Sequence, residues 1–574
     1  MRVLLGTAIG SALATLCLPQ IGAPGLVLAA AVLLLSPLLW NALRRGRATV
    51  AMAWLTILAL FPTAQPWIHA APTKAMHSPL ELTPPIDFTG WGRLRRIDAV
   101  RSIENPNLLF LFGDGNRGTS LPVASSDAGT AAPMTTTTER LPYEAAAAGG
   151  QVLLLGSGAV AEIDAVLDAG AGGVTAIDPE PLAKEMLVGA LRDWTGVLVS
   201  RPDVSVVSDD PRAWMESTTG RFGIIRWTNR GEETRPASIG MAHLDSGSFL
   251  RTVEGISLCL NRLEPDGFLV VAFADSDGSG ARSWLGAARL ALGKAAVTDL
   301  GAHVVSVHVE PMQAFYFLWK SVPAPSTLNR IRALAATIPG AVLVHTPDQR
   351  VASGPIAPLL ERPIAIHAGI VATTAAATDD SPFSFGAEEI AAAVGFGTPP
   401  DAVETTRTDA ITARLLFAQA IIAIVLAFGG TLAASVRSAG PGIQGGHRRE
   451  LAASGIGGVG FALLAAASVH AIALSRGSLV EAWTLTMTLL PIVGAALLFL
   501  VERFGPSPTA KVAIDATAAS RWGVFLCWFA AGSSAASLIA ISSGFIGLRW
   551  IAAGCLLASA SLSARGREPS SPGG

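Results

Sequence analysis

What most constrains this chain is a set of long apolar runs at its two ends. A helix rises about 1.5 Å per residue, so a run of about 17 to 25 apolar residues is the length that crosses the hydrocarbon core of a bilayer. Before residue 70 such runs fall at roughly 3–19, 24–43 and 48–68, and after residue 410 at roughly 411–435, 451–474, 479–501, 522–542 and 544–562. The sequence therefore predicts three N-terminal membrane helices (1–70), about five C-terminal ones (410–563), a disordered tail (564–574) and a water-soluble region between them over 71–409. Composition agrees, because 51% of the 574 residues are hydrophobic and only 15% are charged, a balance unusual for a wholly soluble chain. A signal peptide is the alternative reading of the first run, against which its leading segment holds only Arg2 and Leu16-Cys17 lacks the small residue of a lipoprotein cleavage site; cleavage there would leave the orientation of the rest of the chain unchanged.

Orientation comes from Lys and Arg in the short loops, since cationic segments are retained on the cytoplasmic side during insertion. The clusters are Arg44, Arg45 and Arg47; Arg437, Arg448 and Arg449; Arg503, Lys511 and Arg521; and Arg565 and Arg567. With eight spans they all share one side, while the opposite side, the soluble region aside, holds only Arg476, in a short loop, and Arg549, near the start of the last run. The expected location is the cell (inner) membrane, with the lipid bilayer as first partner, both termini cytoplasmic and the soluble region extracytoplasmic. A formal net charge of -2 with no long basic block excludes a nucleic-acid partner held through its phosphates. Cys17, Cys527 and Cys555 lie in apolar runs and Cys259 stands alone, which excludes a disulfide framework and a Cys-based zinc site in the soluble region. His303 and His308 sit in "AHVVSVHV", five apart and so on opposite faces of a strand, and no metal site is expected. Gln419, His470 and Glu481, in or near apolar runs, mark either a substrate path or, more often, close helix packing with snorkelling polar groups.

Within the soluble region, "QVLLLGSGAVAEIDAVLDAGAGGVTAIDPEPL" from Gln151 is laid out as strand, glycine turn, helix and second strand. Gly156 and Gly158 allow a tight turn, and Asp178 ends the second strand where a carboxylate can accept from ribose hydroxyls. A βαβ turn without a ligand fits the same residues. Asp209 and Asp210 read equally as part of a ligand site or as a strand-end turn capping the next helix. The stretch Gly118 to Thr138, rich in Thr, Ala and Pro, reads as a flexible loop within a small β region and loop over 71–150.

Further on, "VSVVSDDPRAWMESTTGRFGIIRWTN" and "LDSGSFLRTVEGISLCLNRLEPDGFLVVAFAD" repeat a recognisable order of elements. From about Phe88 to Trp319 the chain resembles the spermidine/spermine synthase family, with "ERLPYEAA" (Glu139 to Ala146) similar to the segment that precedes its glycine strand. "TDDSPF" (Thr378 to Phe383) resembles a motif of membrane-fused members. The resemblance implies an α/β class I methyltransferase-like (Rossmann-like) domain inserted between α-helical transmembrane bundles, with the nucleotide-binding part at 151–320 and the remainder of the soluble domain at 321–409. It implies a cofactor too, decarboxylated S-adenosylmethionine or a related nucleoside, from which the family transfers an aminopropyl group to a polyamine. Carried over, Gly156 and Gly158 form the nucleotide turn, Asp178 holds the ribose unless the family's acid aligns with Ala176, and Asp209 and Asp210 match the paired acids near adenine.

The resemblance fails where the chemistry happens. An attacking amine must lose its proton, and the family supplies an Asp for this at the end of the fourth strand. Here that strand reads "FGIIRWTNRGEE", with Thr228 and Gly231 at the acidic positions and Arg226 and Arg230 adding positive charge where a polycation would bind. Glu232 and Glu233 are the possible substitutes. The glycine turn has become "GSGAVAE". The expected function is that of a degenerate synthase-like membrane protein binding a nucleoside-type ligand, a polyamine or a membrane-protein partner. An active aminopropyltransferase and a transport-linked protein are the alternatives.

Overall fold

The computed structural model describes residues 86–92, 96–102, 108–113, 116–122, 137–146, 149–156, 158–195, 198–228, 249–273, 279–309, 313–351, 356–361 and 376–380, and beyond these chiefly 454–460, 462–469 and 548–559. The chain divides into two compact units, Gly6–Pro211 with Arg221–Gly231, and Arg212–Gly220 with Glu232–Gly574 and Met1–Leu5.

The first unit opens with an antiparallel sheet in sequential order, β1 (Ile86–Trp91), β2 (Arg96–Arg101), β3 (Leu108–Gly113) and β4 (Asn116–Pro122). Strand β4 thus takes the start of the stretch expected to be a loop. Helix α1 (Thr137–Glu144) leads to the parallel strands β5 (Gln151–Leu155), β6 (Gly173–Asp178), β7 (Val204–Ser208) and β8 (Phe222–Trp227). Strand β5 is apolar at four successive positions because parallel strands are covered on both faces, and Val152 to Leu155 are all buried. It ends at a turn in which Gly156 (φ 104°) and Gly158 (φ 88°) are left-handed, a conformation a side chain resists. Helix α2 (Ile163–Asp168) comes after this turn and α3 (Pro181–Val188) after β6, with Pro181 in its first turn and Glu180 as N-cap, accepting from Leu182 N.

In the second unit, helix α4 (Pro211–Ser217, from Arg212 on), α5 (Val253–Asn261), α6 (Ser279–Lys294) and α7 (Pro325–Thr337) accompany β9 (Leu263–Phe273), β10 (Val304–Val309), β11 (Gln313–Trp319) and β12 (Ala341–His345). Pairings β9–β11, β11–β10 and β10–β12 are antiparallel. Aromatic side chains fill this half: Phe268 packs on Phe317 and Trp319, and Phe273 on Tyr316 and Trp284, with ring centroids 5.2 to 6.3 Å apart. The strand order is β8-β5-β6-β7 in the first unit and β12-β10-β11-β9 in the second. The parallel strands wound outward from β5, with helices between them, are those of a methyltransferase-like α/β domain. In the second unit, β12 lies past residue 320 as an edge strand beside β10.

Within the expected C-terminal spans, residues 454–460, 462–469 and 548–559 are helical. Leu463, Ala467, Ala536, Leu548 and Ala552 form a buried cluster, and a Cβ on Gly460 would stand 2.9 Å from Cys555 Cβ, so small residues let these helices approach closely. Among the described residues no helix is long and apolar enough to cross a membrane. The N-terminal runs and most of the C-terminal ones lie outside the described residues.

Candidate functional site

Strand order reverses at β5, which has β6 and β7 on one side and β8 on the other. In open α/β sheets the ligand crevice lies outside the carboxyl ends of the strands at such a reversal. The structure brings the predicted residues to this edge. Leu155 is in register with Ile177, and Asp178 with Ser208, so Gly156, Asp178 and the start of the Asp209–Asp210 turn lie at the ends of three adjacent strands. Gly156 N donates to Ile177 O at 2.9 Å.

The carboxylates at this edge are largely engaged by the protein itself. Asp178 is 1% exposed, accepting from Gly158 N at 3.3 Å and from Glu180 N at 2.9 Å, so it fastens the glycine turn to the loop entering α3. Ala176, the other alignment for a ribose anchor, is fully buried. Asp209 is exposed and its Oδ1 accepts from Asp210 N at 2.8 Å, while Asp210 is buried. Glu180 was not among the predicted residues. It is buried, and a Cβ on Gly92 would stand 2.2 Å from its carboxyl carbon, so glycine is what lets β1's end lie over it. An acid directly before Pro181 is the sequence signal of this cap.

Thr228 closes the same edge at the end of β8. It is 1% exposed; its N–H donates to Leu155 O at 2.9 Å, and its hydroxyl lies 3.1 Å from Leu155 O and 3.3 Å from Gly156 O. The hydroxyl and the N–H together tie the end of β8 to the end of β5. Glu232, Glu233 and Arg230 lie outside the described residues.

Arg226 corrects an expectation. It does not add charge where a polycation would bind. It is 1% exposed in β8, and its Nε donates to Glu162 Oε2 at 3.4 Å. The Tyr143 hydroxyl donates to the same carboxylate oxygen. An Arg in an otherwise apolar strand calls for a buried carboxylate, but that partner is 64 residues away.

His303 and Cys259 are held by burial. His303 belongs to the 3-10 turn Leu300–His303 before β10 and not to the strand itself; its Nδ1 lies 3.3 Å from Trp319 O, and burial lowers its pKa. Burial pushes the Cys259 thiol up to about 12, which removes it as a nucleophile at neutral pH. Among the described residues no group of three or more His, Cys, Asp or Glu could hold a metal ion.

No family model and no curated protein matches the chain. Among solved structures it is similar to a probable spermidine synthase from Corynebacterium glutamicum, at 18% identity and a TM-score of 0.34, over 45% of this chain and 90% of that one. It is also similar to a spermidine synthase solved with the transition state analogue AdoDATO (17% identity, TM-score 0.30, 44% of this chain and 78% of that one). A third is the spermidine synthase from Thermotoga maritima (18% identity, TM-score 0.30, 42% and 75%). Each likeness covers less than half of this chain.

Proposed function

We propose that this is a multi-pass membrane protein whose spermidine-synthase-like domain binds a nucleoside-type ligand or a membrane-protein partner and does not carry out efficient aminopropyl transfer. One observation carries the reading: Thr228, at the position of the family's catalytic acid, spends its hydroxyl on Leu155 O and Gly156 O. Without a carboxylate beside it, an acceptor amine stays protonated and is no nucleophile. The glycine turn and the Asp209–Asp210 turn at the same sheet edge support a nucleoside pocket. The apolar runs support the membrane setting, and the one-sided Lys and Arg clusters support an extracytoplasmic domain, where decarboxylated S-adenosylmethionine is scarce.

Calorimetric titration of the purified full chain with the thioether product of decarboxylated S-adenosylmethionine tests the binding half. Saturable heat that weakens about tenfold or more in Asp210→Asn is expected, the size of a lost hydrogen bond to a charged group. No heat at millimolar ligand would discard the nucleoside pocket and leave partner contact as the domain's role.

A further inference from the structure

Ala377 and the start of the TDDSPF segment, Thr378 to Asp380, are fastened to two helices of the second unit at once. Asp379 is at the centre. Its Oδ1 and Oδ2 accept from Arg212 Nη1 at 3.2 Å and Nη2 at 2.9 Å, and Oδ1 also accepts from the Thr252 hydroxyl at 2.6 Å. The Asp379 N–H donates to Glu254 Oε2 at 3.0 Å, and Ala377 O accepts from Val253 N at 2.9 Å. Each partner has a second tie. Arg212 donates to Phe249 O at 3.0 Å and to Glu216 Oε1 at 2.8 Å, Glu254 receives Lys294 of α6 at 3.2 Å, and Thr252 caps α5 by accepting from Gly255 N at 3.1 Å. The Phe249–Thr252 turn is pressed on that helix, because a Cβ on Gly255 would stand 2.2 Å from Phe249 O.

Paired, charge-assisted hydrogen bonds are worth most where water is scarce, and the Arg212 and Asp379 side chains are 11% and 22% exposed. Burial works against the Arg212 charge, and the two carboxylates beside it outweigh that, so its pKa is raised and it stays a cation. Arg212 is 167 residues from Asp379, so a contact of this kind closes a long loop.

We infer that residues 377–380 form a strap that holds α4 and α5 together, with Asp379 as the group that closes it. Chain order sets the strap's place. Helix α4 begins directly after Asp210, and the strap leads on towards the apolar run at about residue 411. The inference stands whether or not the pocket takes a nucleoside.

Amide hydrogen exchange on the full chain tests it. In Asp379→Asn, exchange in α4 and in the 249–258 segment is expected to quicken by about tenfold to a hundredfold, with β11 as slow as in the wild type. Arg212→Lys keeps the charge and gives up the paired contact, so it should quicken the same two segments by less. Unchanged exchange in α4 and 249–258 in both variants would overturn the strap. A uniform rise in both variants that includes β11 would also overturn it, since the contact would then act on general stability and not on these two helices.

Discussion

Under the proposed function, replacing Thr228 by Asp would supply the acid the site lacks, and the structure predicts that the domain will reject it in a pH-dependent way. The side chain is 1% exposed and faces Leu155 O at 3.1 Å and Gly156 O at 3.3 Å. A carboxylate there meets two carbonyl oxygens and little water, whereas the protonated acid can donate as the hydroxyl does. Its folded pKa is therefore raised above the unfolded value of about 4. A raised acid costs nothing below the unfolded pKa, and its destabilisation grows as pH climbs to the folded pKa. Lifted to about 7, the group costs about 4 kcal/mol above pH 7, at about 1.4 kcal/mol per unit. At about 2 to 4 °C per kcal/mol for a domain of this size, the variant should melt about 8 to 16 °C below the wild type at pH 8 and close to it at pH 4.5. Thermal unfolding of both proteins at the two pH values is the assay. A variant as stable as the wild type at pH 8, or equally destabilised at both, would show that the Thr228 side chain is not held against the carbonyls, and that the position is open to a base.

Arg226→Met leaves the buried Glu162 without its cation and should cost about 3 to 5 kcal/mol, with Arg226→Met combined with Glu162→Gln milder, both read by thermal unfolding. A reporter fused after Glu81 should be reachable from the extracytoplasmic side of intact cells, and labelling only after lysis would reverse the orientation.

The legible parts of the fold were those written in local pattern. Val152 to Leu155 announced a covered parallel strand because four apolar residues in a row suit no half-exposed one, and Gly156 and Gly158 announced the turn because only glycine takes their φ without strain. Asp178 was placed at the end of β6 by the same reading, yet its carboxylate turns to Gly158 N and Glu180 N, which no local pattern records. The expectation for Arg226 failed for a related reason: sequence gives the charge of a residue, and only the fold brings Glu162 and Tyr143 to it. The edge strand β12 was missed because it lies beyond the resemblance that ended at Trp319. The Asp379 contacts are longer still in range, spanning 125 to 167 residues to Glu254, Thr252 and Arg212.

The central claim concerns the missing base, and aminopropyl transfer measures it directly. Purified full-length protein supplied with decarboxylated S-adenosylmethionine and putrescine or spermidine should form no lengthened polyamine above a slow residual rate, since general-base catalysis contributes about 100- to 10,000-fold. Robust turnover that is abolished by Glu232→Gln or Glu233→Gln would contradict the account, because a carboxylate just beyond β8 would then be doing what Thr228 cannot.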